Sequence, residues 1–309
     1  MRNGLDAVSF RKQLLLLLAT LSACGPMPET GEPDGVESQP QALDADNGLS
    51  LNGLSLNGLS LNGLSLNGLS PDGLSTSQFN DWFQQNPTLN DMVMRYVVRC
   101  AVPDTEVRTY TSPATGQSYS WAGSLGLAPG WSQGSPATLT EQRLVSGCLA
   151  AHANKYGVHI AISVQGLRAT GEPVPTSAQE LQTYSEKEGC FFGNVFNSSE
   201  GIYVGNDGHP LNYNESTPRA CALNTKWSTS QECRPMQRVD SRCSDLCTRD
   251  ATGSFYVSCT YNGITYPAIT TRMLPSDIYV CGDGTCQISE QCGTAGFWNN
   301  CLRDCGLCL

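Results

Sequence analysis

The distribution of 15 cysteines constrains this 309-residue chain more than any other feature of the sequence. One is Cys24, near the N-terminus, and the other 14 fall into two even groups. Eight lie between Cys100 and Cys259, and six crowd into the stretch from Cys281 to Cys308. In an exported chain an even number of cysteines predicts a disulfide framework, here of up to seven bridges. The candidates are Cys100, Cys148, Cys190, Cys221, Cys233, Cys243, Cys247, Cys259, Cys281, Cys286, Cys292, Cys301, Cys305 and Cys308.

Zinc binding is the alternative use of clustered cysteines. Structural zinc sites are commonly built from pairs of cysteines separated by two residues. Only Cys305 and Cys308 have that spacing, so the sequence favours disulfides. Cys100 and Cys148 fall on the apolar faces of two predicted helices, and we expect a bridge between them. The other pairings stay open at this point.

Residues 1–23 have the features of an export signal. Basic residues precede the apolar run Leu14–Leu18, and the leader ends in Leu21-Ser22-Ala23-Cys24. This ending resembles the lipobox of bacterial lipoproteins, in which the cysteine becomes the lipidated first residue of the mature chain. The resemblance implies lipidation of Cys24, and therefore a membrane partner. Gly25 in the next position favours the outer membrane of a Gram-negative bacterium. The alternative is an ordinary secretory signal with a chance cysteine.

The charge of the chain excludes one class of partner. The formal net charge is −10 at pH 7, and removal of residues 1–23 takes away three basic residues and one acid, leaving −12. Such a chain is repelled by phosphate backbones, so nucleic acid is not an expected partner. No stretch after the leader is long and apolar enough to be a transmembrane helix.

Two segments of unusual composition follow the leader. Residues 24–46 are acidic and rich in proline, which predicts a disordered linker. Residues 47–76 contain five NGLS units and one DGLS unit at a period of five. That period produces no apolar stripe on a helix, and six units are too few to bury a core alone as a β-solenoid. We therefore interpret residues 47–76 as a tether. A plain spacer needs no leucines, so we suspect that they dock onto the domain, the lipid surface or another copy.

Residues 77–280 predict one α+β domain, with about three helices and a small, mostly antiparallel sheet. Phe79, Trp82 and Phe83 share one helical face. An amphipathic helix spans Leu89–Cys100, with Thr88 as its expected N-cap. Thr138 and Glu141 form a capping-box pattern before a helix that we expect to end at Gly157. A third helix opens at Ser177.

Short apolar or alternating runs predict the strands of this domain. The run from Val158 to Gln165 shows the clearest alternation. Asn262-Gly263 predicts a two-residue hairpin turn. The remaining predicted strands are Val107–Thr111, Ser118–Ala122, Cys190–Phe196, Ile202–Val204, Phe255–Tyr261 and Ile264–Ile269.

Residues 281–309 form a small C-terminal module with six cysteines. Small modules of this kind are held by disulfides. Asp283-Gly284 followed by Glu290 matches the second half of an EF-hand loop, and Asp304 could supply a further carboxylate. The sequence thus predicts a structural calcium ion as a cofactor, bound by Asp283, Glu290 and Asp304. The alternative is a disulfide knot with solvated acids.

The C-terminal module CGDGTC…EQC…C…DCG resembles modules at the ends of many bacterial exported proteins. Together with the lipobox and the tandem LNG-type repeats, it makes the chain similar to a group of secreted cysteine-rich lipoproteins of large-genome Gram-negative soil bacteria. This resemblance covers most of the chain in its layout. It implies export and a lipid anchor, and it carries no activity or catalytic residue.

Few residues are candidates for catalysis. The three histidines are His152, His159 and His209, and no nucleophile elbow, phosphate-binding loop or HExxH pattern is present. His152 falls on the apolar face of its helix, which favours a core role. Glu186 and Glu188 follow a polar helix end and are expected to be solvated.

A binding role has slightly more support from the sequence. Tyr119, Trp121 and Trp131 lie in a stretch rich in Gly, Ser and Pro, and aromatic side chains on loops can stack on sugar rings. The alternative is that both tryptophans fill the core. We therefore expect a lipid-anchored envelope protein with a non-catalytic binding or structural role, whose partner is an envelope glycan or protein. The second hypothesis is an exported hydrolase that acts on polysaccharide or peptide through a His/carboxylate site.

Overall fold

The computed structural model describes most of the chain after residue 65. The described residues are 49–50, 66–154, 159–197, 199–207, 215–216, 235–277, 279–287, 290, 292–293 and 301–308. All of them belong to one unit of the chain, which runs from Ala42 to Leu309.

The described residues form helices and small sheets, as the sequence predicts. The helices are α1 Pro71–Leu74, α2 Ser77–Gln85, α3 Pro87–Ala101, α4 Pro129–Ser132, α5 Leu139–His152, α6 Ala178–Thr183, α7 Cys243–Leu246 and α8 Leu302–Cys305. The strands are β1 Leu49–Ser50, β2 Val107–Thr111, β3 Ser118–Ala122, β4 Ala153–Asn154, β5 Ile162–Gly166, β6 Glu186–Gly193, β7 Ile202–Asn206, β8 Glu215–Ser216, β9 Met236–Arg242, β10 Cys247–Arg249, β11 Tyr256–Tyr261, β12 Ile264–Pro267, β13 Ile269–Met273 and β14 Tyr279–Val280. The predicted α+β class is confirmed.

The main sheet has five strands in the order β5-β13-β6-β7-β9. Its neighbours pair antiparallel except for β7 and β9, which are parallel. A second sheet has the order β10-β11-β12, and β2 pairs with β3 as a separate hairpin. The sheets are therefore mostly antiparallel, as expected from the sequence.

The main sheet is buried on both faces. Phe191 of β6 and Ile269 of β13 belong to the larger core, together with the apolar residues of α3 and α5. Cys190 and Phe192 alternate with Phe191 and belong to a smaller core beneath the second sheet. The helix α5 lies very close to the main sheet, because a Cβ added at Gly147 would lie 2.9 Å from the Phe191 carbonyl oxygen.

The helix boundaries correct two predictions. The N-cap of α3 is Asn86, not Thr88, because the Asn86 side chain accepts a hydrogen bond from the Leu89 amide and Pro87 fills the first helical position. The helix α5 has the predicted capping box of Thr138 and Glu141 but ends at His152, before Gly157. Residues 155–158, including that glycine, lie outside the described residues.

The end of the NGLS repeat is part of the larger core. Leu69 and Leu74 are fully buried there, whereas Leu66 is 67% exposed. We call Asn67–Ser70 and Asp72–Ser75 the docked units. The Leu69 amide donates to the Trp131 carbonyl oxygen at 2.8 Å, and Arg108 Nε donates to the Leu69 carbonyl oxygen at 2.6 Å. The core therefore begins upstream of Ser77, and the suspected docking of repeat leucines onto the domain is observed.

An earlier unit of the repeat also meets the domain. Leu49 and Ser50 form β1, which pairs in parallel with Ala153 and Asn154 of β4, directly after α5. In the part of the repeat that the structure describes, the chain therefore contacts the domain at Leu49 and again at Leu69, 20 residues further along the sequence.

Six disulfides link the described cysteines. The predicted bridge between Cys100 and Cys148 is present and joins α3 to α5. The others are Cys190–Cys243, Cys247–Cys259, Cys281–Cys301, Cys286–Cys305 and Cys292–Cys308. The candidates Cys221 and Cys233 lie outside the described residues. Among the helices of the described residues, none has both the length and the apolar character needed to span a bilayer.

Candidate functional site

The two tryptophans predicted to bind sugar rings lie inside the protein. Trp121 is 1% exposed and Trp131 is 0% exposed. The indole Nε1 of Trp121 donates to Asp91 Oδ1 at 2.7 Å, and the Trp131 ring packs edge-on against Phe196. The predicted stacking role of these two residues is therefore wrong, because their ring faces contact the core and not solvent.

Tyr119 lies at the edge of the same aromatic cluster. It is half-buried on β3 and packs against Phe83 at 4.7 Å between ring centroids. Its ring also lies roughly parallel to those of Tyr110 and Trp121. Tyr119 thus covers the edge of the larger core at the β2–β3 hairpin. Its ligand-binding role stays a prediction.

Two of the three histidines come together around Tyr96 of α3. The Tyr96 ring lies 5.2 Å from the His152 ring, and the Tyr96 hydroxyl is 3.4 Å from His159 Nδ1. His152 is 7% exposed, at the end of α5 beside the Cys100–Cys148 disulfide. This burial agrees with the expected core role of His152. His209 lies outside the described residues.

The acids predicted to bind calcium hold the turns of the C-terminal module. Asp304 on α8 accepts hydrogen bonds from the backbone amides of Gly282 and Gly284. Asp283 accepts from the Thr285 amide at 2.8 Å and from Gln287 Nε2 at 2.7 Å. Among the described residues, no group of three or more potential ligand atoms within 4.8 Å of one another contains two of these three carboxylates.

Glu290 and Gln287 form the buried part of this module. Glu290 is 7% exposed and Gln287 is 5% exposed, and Oε1 of each is buried without a hydrogen-bond donor. Burial raises the pKa of the Glu290 carboxyl, an amide hydrogen bond from Gln287 opposes that rise, and the charges of Asp304 and Asp283 add to it. The module therefore contains a surplus of acceptor oxygens. The calcium site itself stays a prediction.

The four-cysteine arrangement beneath the second sheet is not predicted by the sequence. Cys190–Cys243 and Cys247–Cys259 lie side by side, with Cys190 Sγ 3.5 Å from Cys247 Sγ. We call these four residues the sulfur cluster. The spacing of Cys243 and Cys247, one helical turn apart, is the only local signal that could have placed two of these sulfurs together.

A partly buried ion pair lies in the same layer. Asp207, at the end of β7, accepts hydrogen bonds from Arg249 Nη2 at 3.0 Å and from the Tyr256 hydroxyl at 2.8 Å. The Arg249 guanidinium also lies over the Tyr256 ring, 4.1 Å from its centroid. Burial raises the pKa of the Tyr256 hydroxyl, and the hydrogen bond to Asp207 raises it further. These contacts fix β10 and β11 against the main sheet.

The groups of ligand-type atoms in the described residues are dominated by disulfide sulfurs. Each of the four groups whose atoms lie within 4.8 Å of one another contains at least two cysteines, and every one of these cysteines is in a disulfide. A disulfide sulfur is not a thiolate, which is the form that binds zinc. Comparison with protein-family models, curated proteins and solved structures found no match to this chain.

Proposed function

We propose that this chain is an exported, lipid-anchored protein of the cell envelope with a non-catalytic binding or structural role. The observation that carries the proposal is that all 12 described cysteines are paired in six disulfides. Disulfides persist in oxidising compartments outside the cytosol. The lipobox-like ending at Cys24 supplies the attachment to the membrane.

The use of the candidate residues supports a structural role over a catalytic one. His152 is buried against Tyr96, and Trp121 and Trp131 fill the core. A general acid or base must reach the proton that it transfers, directly or through one water. The burial of His152 in a packed core does not favour such access.

The docked units support an anchored module. The repeat connects Cys24 to the domain, and its last two leucines, Leu69 and Leu74, are inserted into the core. The connection is therefore part of the packed structure where it meets the domain. Such an attachment suits a protein that is held at a surface through its N-terminus.

Lipidation of Cys24 is the direct test of this proposal. The full chain would be expressed in a Gram-negative host, and the N-terminal peptide of the membrane fraction would be examined by mass spectrometry. We expect a diacylated or triacylated Cys24 as the first residue. A Cys24→Ser variant serves as the matched control and should lose both the acyl mass and the membrane association.

An unmodified Cys24 in the wild-type chain, followed by recovery in the soluble fraction, would contradict the lipid anchor. The disulfides provide a separate check on export. A wild-type chain that reacts with a thiol reagent at most of its cysteines, without prior reduction, would contradict the oxidising compartment as well.

A further inference from the structure

The sulfur cluster brings two disulfides within reach of each other. The 3.5 Å between Cys190 Sγ and Cys247 Sγ joins sulfurs of different bridges. Sulfurs exchange partners when a thiolate attacks a neighbouring disulfide sulfur, and the rate depends on access and alignment. A thiolate formed at Cys247 would be held next to its target, as in an intramolecular reaction.

The four cysteines differ in their access to solvent. Cys190, Cys243 and Cys259 are buried, whereas Cys247 is half-buried at the end of α7. An external thiol would therefore reach the Cys247–Cys259 bridge before the Cys190–Cys243 bridge. This order is the one that an exchange between the two bridges requires.

The surroundings hold the buried bridge in place. A Cβ added at Gly205 of β7 would lie 2.9 Å from Cys190 Sγ and 3.1 Å from Cys243 Sγ. The strand thus provides a flat surface against which this bridge packs. Val239 of β9 and Tyr256 of β11 belong to the same core. The target sulfur is therefore held in position while the more accessible bridge, Cys247–Cys259, reacts.

We propose that the sulfur cluster is a thiol–disulfide exchange site whose substrate is a dithiol. In the first step the dithiol reduces Cys247–Cys259. The dithiol is oxidised to its own disulfide, and Cys247 and Cys259 each gain a proton and become thiols. Two electrons enter the chain in this step.

The second step rearranges sulfur bonds without further redox change. Cys247 loses its proton and attacks Cys190 Sγ. The Cys247–Cys190 bond forms as the Cys190–Cys243 bond breaks, and Cys243 leaves as a thiolate that takes up a proton. The chain then contains one bridge, Cys190–Cys247, and two thiols, at Cys243 and Cys259.

The exchange moves an attachment point along a single helical turn. Cys243 and Cys247 lie four residues apart, at the start of α7 and directly after its end. In the oxidised chain β6 is tied to Cys243. After exchange β6 is tied to Cys247, and the cross-strand bridge between β10 and β11 is lost. This redox site goes beyond the proposed envelope role and does not depend on the lipid anchor.

Limited reduction of the full wild-type chain tests the proposal. The chain would be treated with graded dithiothreitol, quenched with acid, and its free thiols labelled with N-ethylmaleimide. Trypsin leaves Cys243 and Cys247 on one peptide, so a second cleavage before Asp245 with Asp-N is needed. We expect the first labelled pair to be Cys243 and Cys259, with Cys190 linked to Cys247. Labelling of Cys247 and Cys259, with Cys190–Cys243 intact at every dithiothreitol concentration, would overturn the proposal.

Single substitutions give an independent measurement without added reductant. In Cys259→Ser the Cys247 thiol is free beside Cys190, and we expect a mixture of Cys190–Cys243 and Cys190–Cys247 pairings. The matched control is Cys247→Ser, which breaks the same bridge but removes the sulfur at 3.5 Å. It should keep Cys190–Cys243 alone. The same degree of exchange in both variants, or linkage of Cys190 to Cys221 or Cys233, would contradict the assigned geometry.

Discussion

Gly68 shows how one residue of the repeat is fixed by its surroundings. Its φ is +70°, a region that costs residues with a side chain about 1–2 kcal/mol. A Cβ at this position would also lie 2.5 Å from the backbone of Gly134. Glycine is therefore required in the docked unit both for its conformation and for the close contact. Every unit of the repeat carries glycine at this position.

The substitution Gly68→Ala separates these two requirements when it is compared with Gly116→Ala. Gly116 has almost the same φ, +72°, but a Cβ there would meet no atom within 4 Å. We expect a loss of about 1 kcal/mol in the free energy of unfolding for Gly116→Ala, and about 2–4 kcal/mol for Gly68→Ala, because overpacking adds to the strain. Urea denaturation measures both, and equal losses would show that the Gly134 contact is unimportant.

Asp250 gives the second sheet a dependence on pH. Burial alone would raise the pKa of this carboxyl, but hydrogen bonds from the Thr252 side chain and from the amides of Phe255, Thr252 and Ser254 lower it to about 2. The charged form is thus favoured in the folded chain. The charged Asp250 therefore adds to the free energy of unfolding at pH values above the unfolded pKa of about 4. This stabilisation is lost as the pH falls towards 2.

The variant Asp250→Asn tests this contribution. We expect the wild type to be more stable than the variant by about 1 kcal/mol at pH 6, a modest value because the loop is at the surface. The difference should shrink as the pH falls from 4 to about 2, as the wild-type carboxyl becomes protonated. Urea midpoints at several pH values measure it. A difference that is constant over this range would argue against the lowered pKa.

Two residues show the limits of prediction from sequence: the N-cap Asn86 and the buried Glu188. The prediction of Thr88 as the N-cap of α3 misses Asn86, although Pro directly after a capping residue is typical of the first helical turn. The prediction that Glu188 is solvated is wrong, because its side chain is buried and accepts a hydrogen bond from Thr271 at 2.7 Å. Thr271 is 83 residues away in sequence, so no local pattern could indicate this partner.

At the scale of elements, local chemistry predicted hairpins well and interior strands poorly. The bounds of β2 and β3 agree with the prediction, and Asn262 and Gly263 have the positive φ values of a two-residue hairpin turn. The strand β5 is shorter than the predicted run of Val158–Gln165. Ser163 and Gln165 of β5 are buried, because both faces of the main sheet are covered. Alternation of polar and apolar residues reports burial of one face only, so it could not predict this.

The docked units make a direct prediction about the repeat. Leu69→Ala and Leu74→Ala each remove a fully buried side chain, which should cost about 2–5 kcal/mol in the free energy of unfolding. Leu66→Ala is the matched control in the adjoining unit, because Leu66 is 67% exposed and its loss should cost less than about 0.5 kcal/mol. Urea denaturation of the three variants gives the comparison. Equal stability in all three would mean that the docked units do not belong to the core.

The C-terminal module makes a prediction about calcium. The buried Oε1 atoms of Glu290 and Gln287 lack donors, and carboxylate and amide oxygens are ligands that calcium accepts. We expect calcium to raise the melting midpoint relative to a chelator, since a ligand that binds only the folded state stabilises it. Glu290→Gln keeps the shape of the side chain but removes its charge, and should abolish the shift. An identical midpoint with calcium and with chelator in the wild type would remove the site.

At the scale of the whole molecule, the parts that escaped prediction are those that depend on long-range pairing. The bridge between Cys100 and Cys148 could be expected because both lie on helix faces, and helix faces are visible in the sequence. The central position of β13 between β5 and β6 could not, because its partners precede it by about 100 and 80 residues. The contact between the two disulfides of the sulfur cluster depends on the same long-range pairing, so it could not be predicted from the sequence either.

The whole repeat is predicted to tolerate the loss of one internal unit. Deletion of Asn57–Leu61 leaves an NGLS unit at both contact points, Leu49 and Leu69. A chain that is five residues shorter between these contacts changes the free energy of loop closure by less than about 0.5 kcal/mol. We therefore expect an unchanged melting midpoint by calorimetry. A drop as large as that of Leu69→Ala would show that the internal units contribute to the core.

Identical units at both contact points have a consequence for how this gene can change. Gain or loss of a whole pentad between them would leave the contacts at β4 and at Trp131 with the same four residues. These contacts therefore constrain the sequence of a unit and not the number of units.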